Sequence, residues 1–461
     1  NVQITEDQFM QAMAEIAVAC WHGNGRTTTV AEIEKHCQHS GIGSVLEVFK
    51  TSGSQGVTQL LTAFYFRQQG VQGTDKTFEF THKSFREYLT TRRMITEIEA
   101  FKDELGRHRS NGRGWNEQEC LRRWAVLCGA EAMDRYLFDW LLGEVQLQPV
   151  EQVVKWQQLF CDLISYMLRQ GMPMEKLDRL TFLQMSYQSR NAEEALLVVL
   201  NACASVTKRI STIKWEKRES FSEWLSKLQK QRIDDNQTLA FDCFSYLDLA
   251  GCLLLLKDLR HANLEGTDLK GADLEGADLE RTHMEGAVLK GADLEGAELQ
   301  WANLNGANLQ EANLRWADLQ ETSLLWADLQ EANLQNAKLY GADLYEANLN
   351  GANLYEANLQ EANLYGADLQ EADLQGANLQ DVRLKGANLQ EANLQGANLQ
   401  GANLQWAKLY RADLYEANLQ GANLQGAKLR KADLEDVNTE NVDLSEVIWV
   451  DDDGNPLNEN L

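Results

Sequence analysis

Between Leu264 and Leu434 an apolar residue stands at every fifth position, 35 centres in unbroken register, and only Met284 is not leucine. Two residues before each centre stands Ala, except at Thr267, Thr282, Thr322 and Val382, and the residue between is usually Asn or Asp, as in Ala302-Asn303-Leu304. Self-similarity this strict defines an architecture ahead of any propensity. It excludes a helix, because at about 100° per residue successive leucines would fall roughly 140° apart and form no apolar stripe. In an extended chain, Ala and Leu two apart face one way and the Asn or Asp between them faces the other. The next Ala, three residues on, faces inward again only if the chain bends at the two intervening residues, often x-Gly as in Gln395-Gly396. Each pentapeptide is therefore one short side and one corner of a coil. The period by itself leaves the number of sides open.

The A(D/N)LXX pattern over residues 250–445 resembles the pentapeptide-repeat family. That resemblance implies a right-handed, four-sided β-helix (a quadrilateral solenoid) of about ten coils. At the roughly 4.8 Å spacing of stacked strands it would be about 50 Å long. Its open ends need caps. The first is expected at Phe241–Arg260, where Leu254 and Leu259 keep the beat while the Ala column fails. Val437-Asn438-Thr439 breaks the pattern at the far end, Ile448 and Trp449 are expected over the last coil, and residues 451–461 as a frayed polar tail.

With four sides, residues twenty apart share a side. Leu325, Tyr345 and Tyr365 then form a ladder beside Trp326, with Trp406 further along. Trp301, Trp316, Tyr340, Tyr355, Tyr410 and Tyr415 also occupy outward positions. Two readings stand side by side: exposed aromatics are favoured anchors for a partner, or the rings cover neighbouring corners and stiffen the coil. His261 and His283 face outward without a second ligand at useful spacing and read as solvated, so no metal site is expected. Carboxylates abound, but a flat repetitive surface does not desolvate them, and no catalytic constellation is visible.

Charge divides the chain. The net charge is −26, yet residues 1–240 hold 29 Lys and Arg against 30 Asp and Glu, leaving 14 against 39 for residues 241–461. An acidic half of this kind repels nucleic acid and anionic membranes unless it imitates nucleic acid to hold a basic protein. The alternative reading is that the acidic repeats merely keep a long solenoid soluble. All eight cysteines precede the regular repeats and none lies in a Cys-x-x-Cys pair. They read as buried thiols of a reducing, cytoplasmic protein, and no apolar stretch is long enough to span a bilayer.

Residues 1–100 read as a compact mixed domain. Phe9, Met13, Ile16 and Cys20 repeat at helical spacing, and Thr29–Cys37 and Gly43–Thr51 suggest two short helices. A hairpin is expected from Ala63–Phe66, a turn through Gly70 and Gly73, and Thr77–Phe80, followed by a helix from about Lys83. Helices followed by a hairpin suggest a winged helix. The segment Phe78-Glu79-Phe80-Thr81-His82-Lys83-Ser84-Phe85-Arg86-Glu87-Tyr88-Leu89 resembles the F-x-F-x-H-x-S-F-x-E-Y-L segment of the winged-helix domain in NACHT-type STAND ATPases, signalling switches held closed by ADP. The resemblance implies that His82 reaches a phosphate of ADP held by a nucleotide-binding module. The residues alone equally allow His82 to cap or pack at the hairpin-to-helix junction. The chain holds no G-x-x-x-x-G-K-[ST] to cradle phosphates, so ADP or ATP would come only through a missing N-terminal module. The start at Asn1 agrees with a piece of a longer protein. Residues 1–95 balance nine basic against nine acidic residues, which argues against a DNA-binding winged helix.

Residues 101–240 read as a separate all-α segment. Val153, Trp156, Phe160, Ile164 and Met167 mark one amphipathic helix, Leu196, Val199, Leu200 and Cys203 another, and Phe221, Trp224, Leu225 and Leu228 a third. Gly112–Gly114 reads as a joint, and the basic run Lys208–Arg232 as a solvated helix face. The expected order is thus a winged-helix-like domain (1–100), a helical domain (101–240), a solenoid with caps (241–450) and a polar tail (451–461).

Domain order points to a non-catalytic interaction and sensor module, the C-terminal regulatory part of a STAND-type ATPase. Its solenoid would recognise a protein trigger or partner, and oligomers would form through the ATPase module. The charge asymmetry carries an alternative that the pentapeptide resemblance also implies for some members, an acidic DNA mimic that binds a DNA topoisomerase. A passive scaffold is the third reading.

Overall fold

The computed structural model describes residues 5–23, 27–39, 66–72, 75–80, 82–177, 180–229 and 239–457. They divide into two compact units, Asn1–Lys214 and Trp215–Leu461.

In the first unit α1 (Glu6–His22), β1 (Thr27–Thr29) and α2 (Val30–His39) precede the hairpin β2 (Phe66–Gln72) and β3 (Asp75–Phe80). Antiparallel β1 lies against β3, giving the sheet order β1-β3-β2. The helical spacing of α1 buries Met13, Ile16 and Cys20 against Ile33, Cys37, Phe80 and Leu89. A capping box starts α2: the Thr29 N–H donates to the Glu32 carboxylate at 2.8 Å, and the Glu32 N–H donates to Thr29 Oγ1 at 3.2 Å. The first strand of the hairpin continues past its expected end at Phe66. Gly70 lies in β2 opposite Thr77, beside a register shift, and not in the turn. A glycine inside a strand marks a bulge as readily as a turn, so the sequence signal was ambiguous. Residues 63–65 and the helix expected at Gly43–Thr51 lie outside the described residues.

Among the described residues five further helices follow in this unit: α3 (Lys83–Asn111), α4 (Glu117–Cys128), α5 (Arg135–Gln146), α6 (Val150–Gln170) and α7 (Phe182–Thr207). Helix α3 continues unbroken through residue 100 and ends where Gly112, at φ 72°, donates its N–H to His108 O. Arg93 bonds both Glu15 and Glu97, and Glu97 also accepts from Arg123, so a buried ion chain ties α1, α3 and α4 together. Trp156, Phe160 and Ile164 of α6 and Leu196, Val199 and Leu200 of α7 are fully buried, as their spacing predicts. All eight cysteines are buried free thiols. No helix among the described residues is long and apolar enough to cross a membrane.

The second unit is a parallel solenoid. Outward residues bridge in parallel to residues twenty positions on, from Asp248↔Asp268 to Asn418↔Asn438, so four pentapeptides make one coil. Ala and Leu fill the interior, for example Ala352 and Leu354, both 0% exposed. At each corner the next Ala N–H closes the turn on the preceding Leu carbonyl, as Ala307 does on Leu304 at 3.0 Å. The second corner residue takes a positive φ, 64° at Gly306 and 56° at Trp326, which explains the frequent glycine. The Asn and Asp preference has its own cause. Asn348 donates its side-chain amide to Asp328 at 2.9 Å, and Asn378, Asn398, Asn418 and Asn438 each donate to the asparagine one coil earlier. Where Thr322 replaces Ala its buried hydroxyl donates to Leu299 O at 2.7 Å.

The first edge is capped by more than the sequence suggested. Trp215 Nε1 donates to Asp248 O, Leu253 N–H donates to Arg218 O, Arg218 Nε donates to Gly251 O, and Gln229 Nε2 donates to Asp258 O. Helix α8 (Ser220–Gln229) therefore belongs to the solenoid cap, with Phe221 packed on Phe244 and Trp215. At the far end β5 (Ile448–Trp449) pairs in parallel with β4 (Lys428–Leu429). Residues 451–457, expected to fray, are held: Asp451 N–H donates to Asn455 O at 3.0 Å, and Leu457 N–H donates to Trp449 O at 2.8 Å. The Asp451 carboxylate accepts the Asp453 and Asn455 amides, which lowers its pKa and fixes the turn.

Candidate interaction surface

The twenty-residue coil places Leu325, Tyr345 and Tyr365 at successive copies of one corner. Tyr345 and Tyr365 stack with centroids 5.3 Å apart and planes 10° from parallel. Trp326 meets Tyr345 edge-on at 6.1 Å and 86°, and its Nε1 donates to Glu346 at 3.1 Å. Leu325 and Tyr345 are half-buried, whereas Trp326 is 58% and Tyr365 40% exposed. Trp406 stands four coils beyond Trp326 in the same column, is 55% exposed, and lies over Gly426 one coil on. The structure thus groups Trp326, Tyr345 and Tyr365 and leaves Trp406 apart from them.

Glu346 is the residue that the sequence reading passed over. It follows Trp326 by twenty positions, so the coil period was enough to find it. Its carboxylate takes the Trp326 indole N–H and, by hydrogen bonding to the phenol, raises the pKa of Tyr345. Two other outward rings are tied down within the solenoid: Tyr340 donates to Glu361 at 3.0 Å and Tyr410 to Gln390 at 2.7 Å. His261 and His283 are both exposed.

His82 stands in the other unit, directly before α3 at the N-cap position. Its backbone is extended, its side chain makes no capping bond, and it is exposed. Cys20, Cys37, Cys120 and Cys161 are each pushed up to about 12 by burial, so their thiols are neutral packing groups.

A backbone that repeats every twenty residues around a filled Ala/Leu axis defines a β-helical repeat protein, whose chemistry lies on its outer surface. Pentapeptide repeats match in eight copies between residues 243 and 448. Through this region the chain belongs to the pentapeptide-repeat family. Among solved structures it is similar to HetL, a pentapeptide repeat protein involved in heterocyst differentiation regulation from the cyanobacterium Nostoc sp. strain PCC 7120, with 35% identity, 46% of this chain and 91% of HetL covered, and a TM-score of 0.40. It is also similar to Rfr23 from the cyanobacterium Cyanothece 51142, with 34% identity, 27% and 64% covered, and a TM-score of 0.15. A trypsin-treated form of QnrB1, a plasmid-mediated fluoroquinolone resistance protein, shares 20% identity over 37% of this chain and 90% of its own, with a TM-score of 0.34. No curated protein sequence matches the chain.

Proposed function

We propose that this chain is a non-catalytic interaction module that holds a protein partner on the solenoid corner bearing Leu325, Trp326, Tyr345 and Tyr365, with Trp406 as an outlying contact. The observation that carries this reading is the ladder itself: a rigid backbone presents three rings that support one another while Trp326 and Tyr365 stay open to solvent. Rigid, pre-ordered aromatics lose little entropy on binding and serve as anchors. The test replaces Trp326, Tyr345 and Tyr365 together by Gln. Loss of partner binding with unchanged circular dichroism is the expected result, and undiminished binding overturns the reading.

We further propose that the helical unit is the winged-helix end of a NACHT-type STAND ATPase, acting in the cytoplasm and taking up ADP or ATP only through a separate nucleotide-binding module. Support comes from the order helix, strand, helix, hairpin, helix among the described residues, and from β1 lying against β3. The exposed side chain of His82, without a capping bond, is available to a phosphate. An ATPase module encoded directly upstream would agree with this, and an unrelated gene end there would contradict it.

The charge asymmetry supports a second reading, an acidic DNA mimic that binds a DNA topoisomerase. Inhibition of gyrase supercoiling at sub-micromolar protein would favour it over the first.

A further inference from the structure

Away from the ladder, another side of the solenoid combines exposed tryptophan with unbalanced charge. Asp278, Glu298 and Asp318 bridge in sequence and form one outward column. Trp316 occupies the corner at one edge of this side and Trp301 the corner at the other, one coil earlier, so Glu298 and Asp318 lie between them. Both rings are about half exposed, 52% for Trp301 and 55% for Trp316. Three successive copies of this side, residues 275–281, 295–301 and 315–321, hold seven carboxylates against two guanidinium groups, Arg281 and Arg315.

The partners of these groups are unevenly shared. Asp278 pairs with Arg260 at 3.1 Å and Asp318 with Lys338 at 3.2 Å, but Glu298 is exposed and pairs with no cation among the described residues. Gln300 Oε1 and Arg315 Nε, in the residues directly before the two tryptophans, are buried without a hydrogen-bond partner. The side also shows how a guanidinium seats here: Arg281 lies 4.8 Å from the Trp301 ring centroid while pairing with Glu280 at 2.7 Å. Guanidinium suits such a place better than ammonium, because it stacks flat on an indole and pairs with a carboxylate at its edge.

We propose that this side docks an arginine-bearing segment of a protein partner, with a guanidinium stacked on Trp316 and paired with Glu298. The proposal rests on the reading of the solenoid as a protein-interaction module, but uses a surface distinct from the ladder. Nucleic acid and anionic lipid are disfavoured here by the same carboxylates.

The probe is a short blocked peptide, acetyl-Gly-Arg-Arg-Gly-amide, titrated into the full chain with its Lys-Lys counterpart and calcium ion as comparisons. The expected result is saturable binding that Glu298→Gln with Trp316→Gln weakens at least tenfold. Glu331→Gln with Glu371→Gln, two exposed carboxylates at another corner of the coil, should change it less than twofold, and the lysine peptide should bind several-fold more weakly. Equal effects of both variant pairs, equal affinity of the two peptides, calcium binding that displaces the peptide, or no binding at all would each overturn the proposal. None of these outcomes bears on the ladder, which is read separately through Trp326, Tyr345 and Tyr365.

Discussion

Tyr345 and Tyr365, twenty residues apart in sequence, stack 5.3 Å apart on one corner of the solenoid. Stacked pairs of this kind contribute about 0.5–1.5 kcal/mol beyond the area they bury. A double-mutant cycle of Tyr345→Leu and Tyr365→Leu, followed by denaturant unfolding, should give a coupling energy in that range. A coupling near zero would mean that the rings do not support each other and that the corner is less rigid than described.

The corners make a sharper demand on the backbone than on space. A Cβ added at Gly396 meets nothing within 4 Å, yet its φ is 64°; Gly143 inside α5 is equally open, without a positive φ. Gly396→Ala should therefore destabilise by about 1–2 kcal/mol. Gly143→Ala should stabilise by roughly 0.5–1 kcal/mol. Thermal or urea unfolding of the two variants checks the contrast, and effects of the same sign would refute it.

Acid should weaken the helical unit through one imidazole. His22 Nε2 lies 2.9 Å from Leu127 O, which can only accept, so this nitrogen carries the hydrogen and Nδ1 accepts from His36 Nε2 at 3.2 Å. Burial lowers the His22 pKa to about 4 from an ordinary 6.5. Between those values the unfolded chain takes up a proton that the folded chain refuses. Stability from this group is therefore full above pH 6.5 and falls as pH drops towards 4, by on the order of 3 kcal/mol. Urea midpoints of the near-ultraviolet signal at pH 7 and 4.5 measure the loss, and His22→Leu should remove this contribution to the pH slope.

How much the sequence revealed depends on whether a signal was local. The five-residue beat fixed which atoms of the solenoid are buried, because parity along an extended strand needs no knowledge of distant segments; Ala352 and Leu354 are inside as expected. The helical spacing of Phe221, Trp224, Leu225 and Leu228 likewise revealed α8. It did not say what α8 packs against. Its hydrogen bonds to the first coil join residues such as Gln229 and Asp258, and no periodicity encodes that pairing. The hairpin shows the same limit, since Gly70 reads equally as turn or bulge until its partner Thr77 is known. At the candidate surface the ladder followed from the coil period once four sides were granted, and Glu346 would have followed too.

The whole surface depends on residues twenty apart being neighbours, and cysteine pairs test that directly. Stacked strands lie about 4.8 Å apart, within the roughly 4.4–6.8 Å between Cα atoms that a disulfide spans. The native thiols are all buried and stay out of the reaction. Under mild oxidation the Tyr345→Cys, Tyr365→Cys variant should form an intramolecular disulfide detectable by peptide mass spectrometry, whereas Tyr345→Cys, Tyr355→Cys should not. Cross-linking of the second pair but not the first would contradict the four-sided coil and the surface built on it.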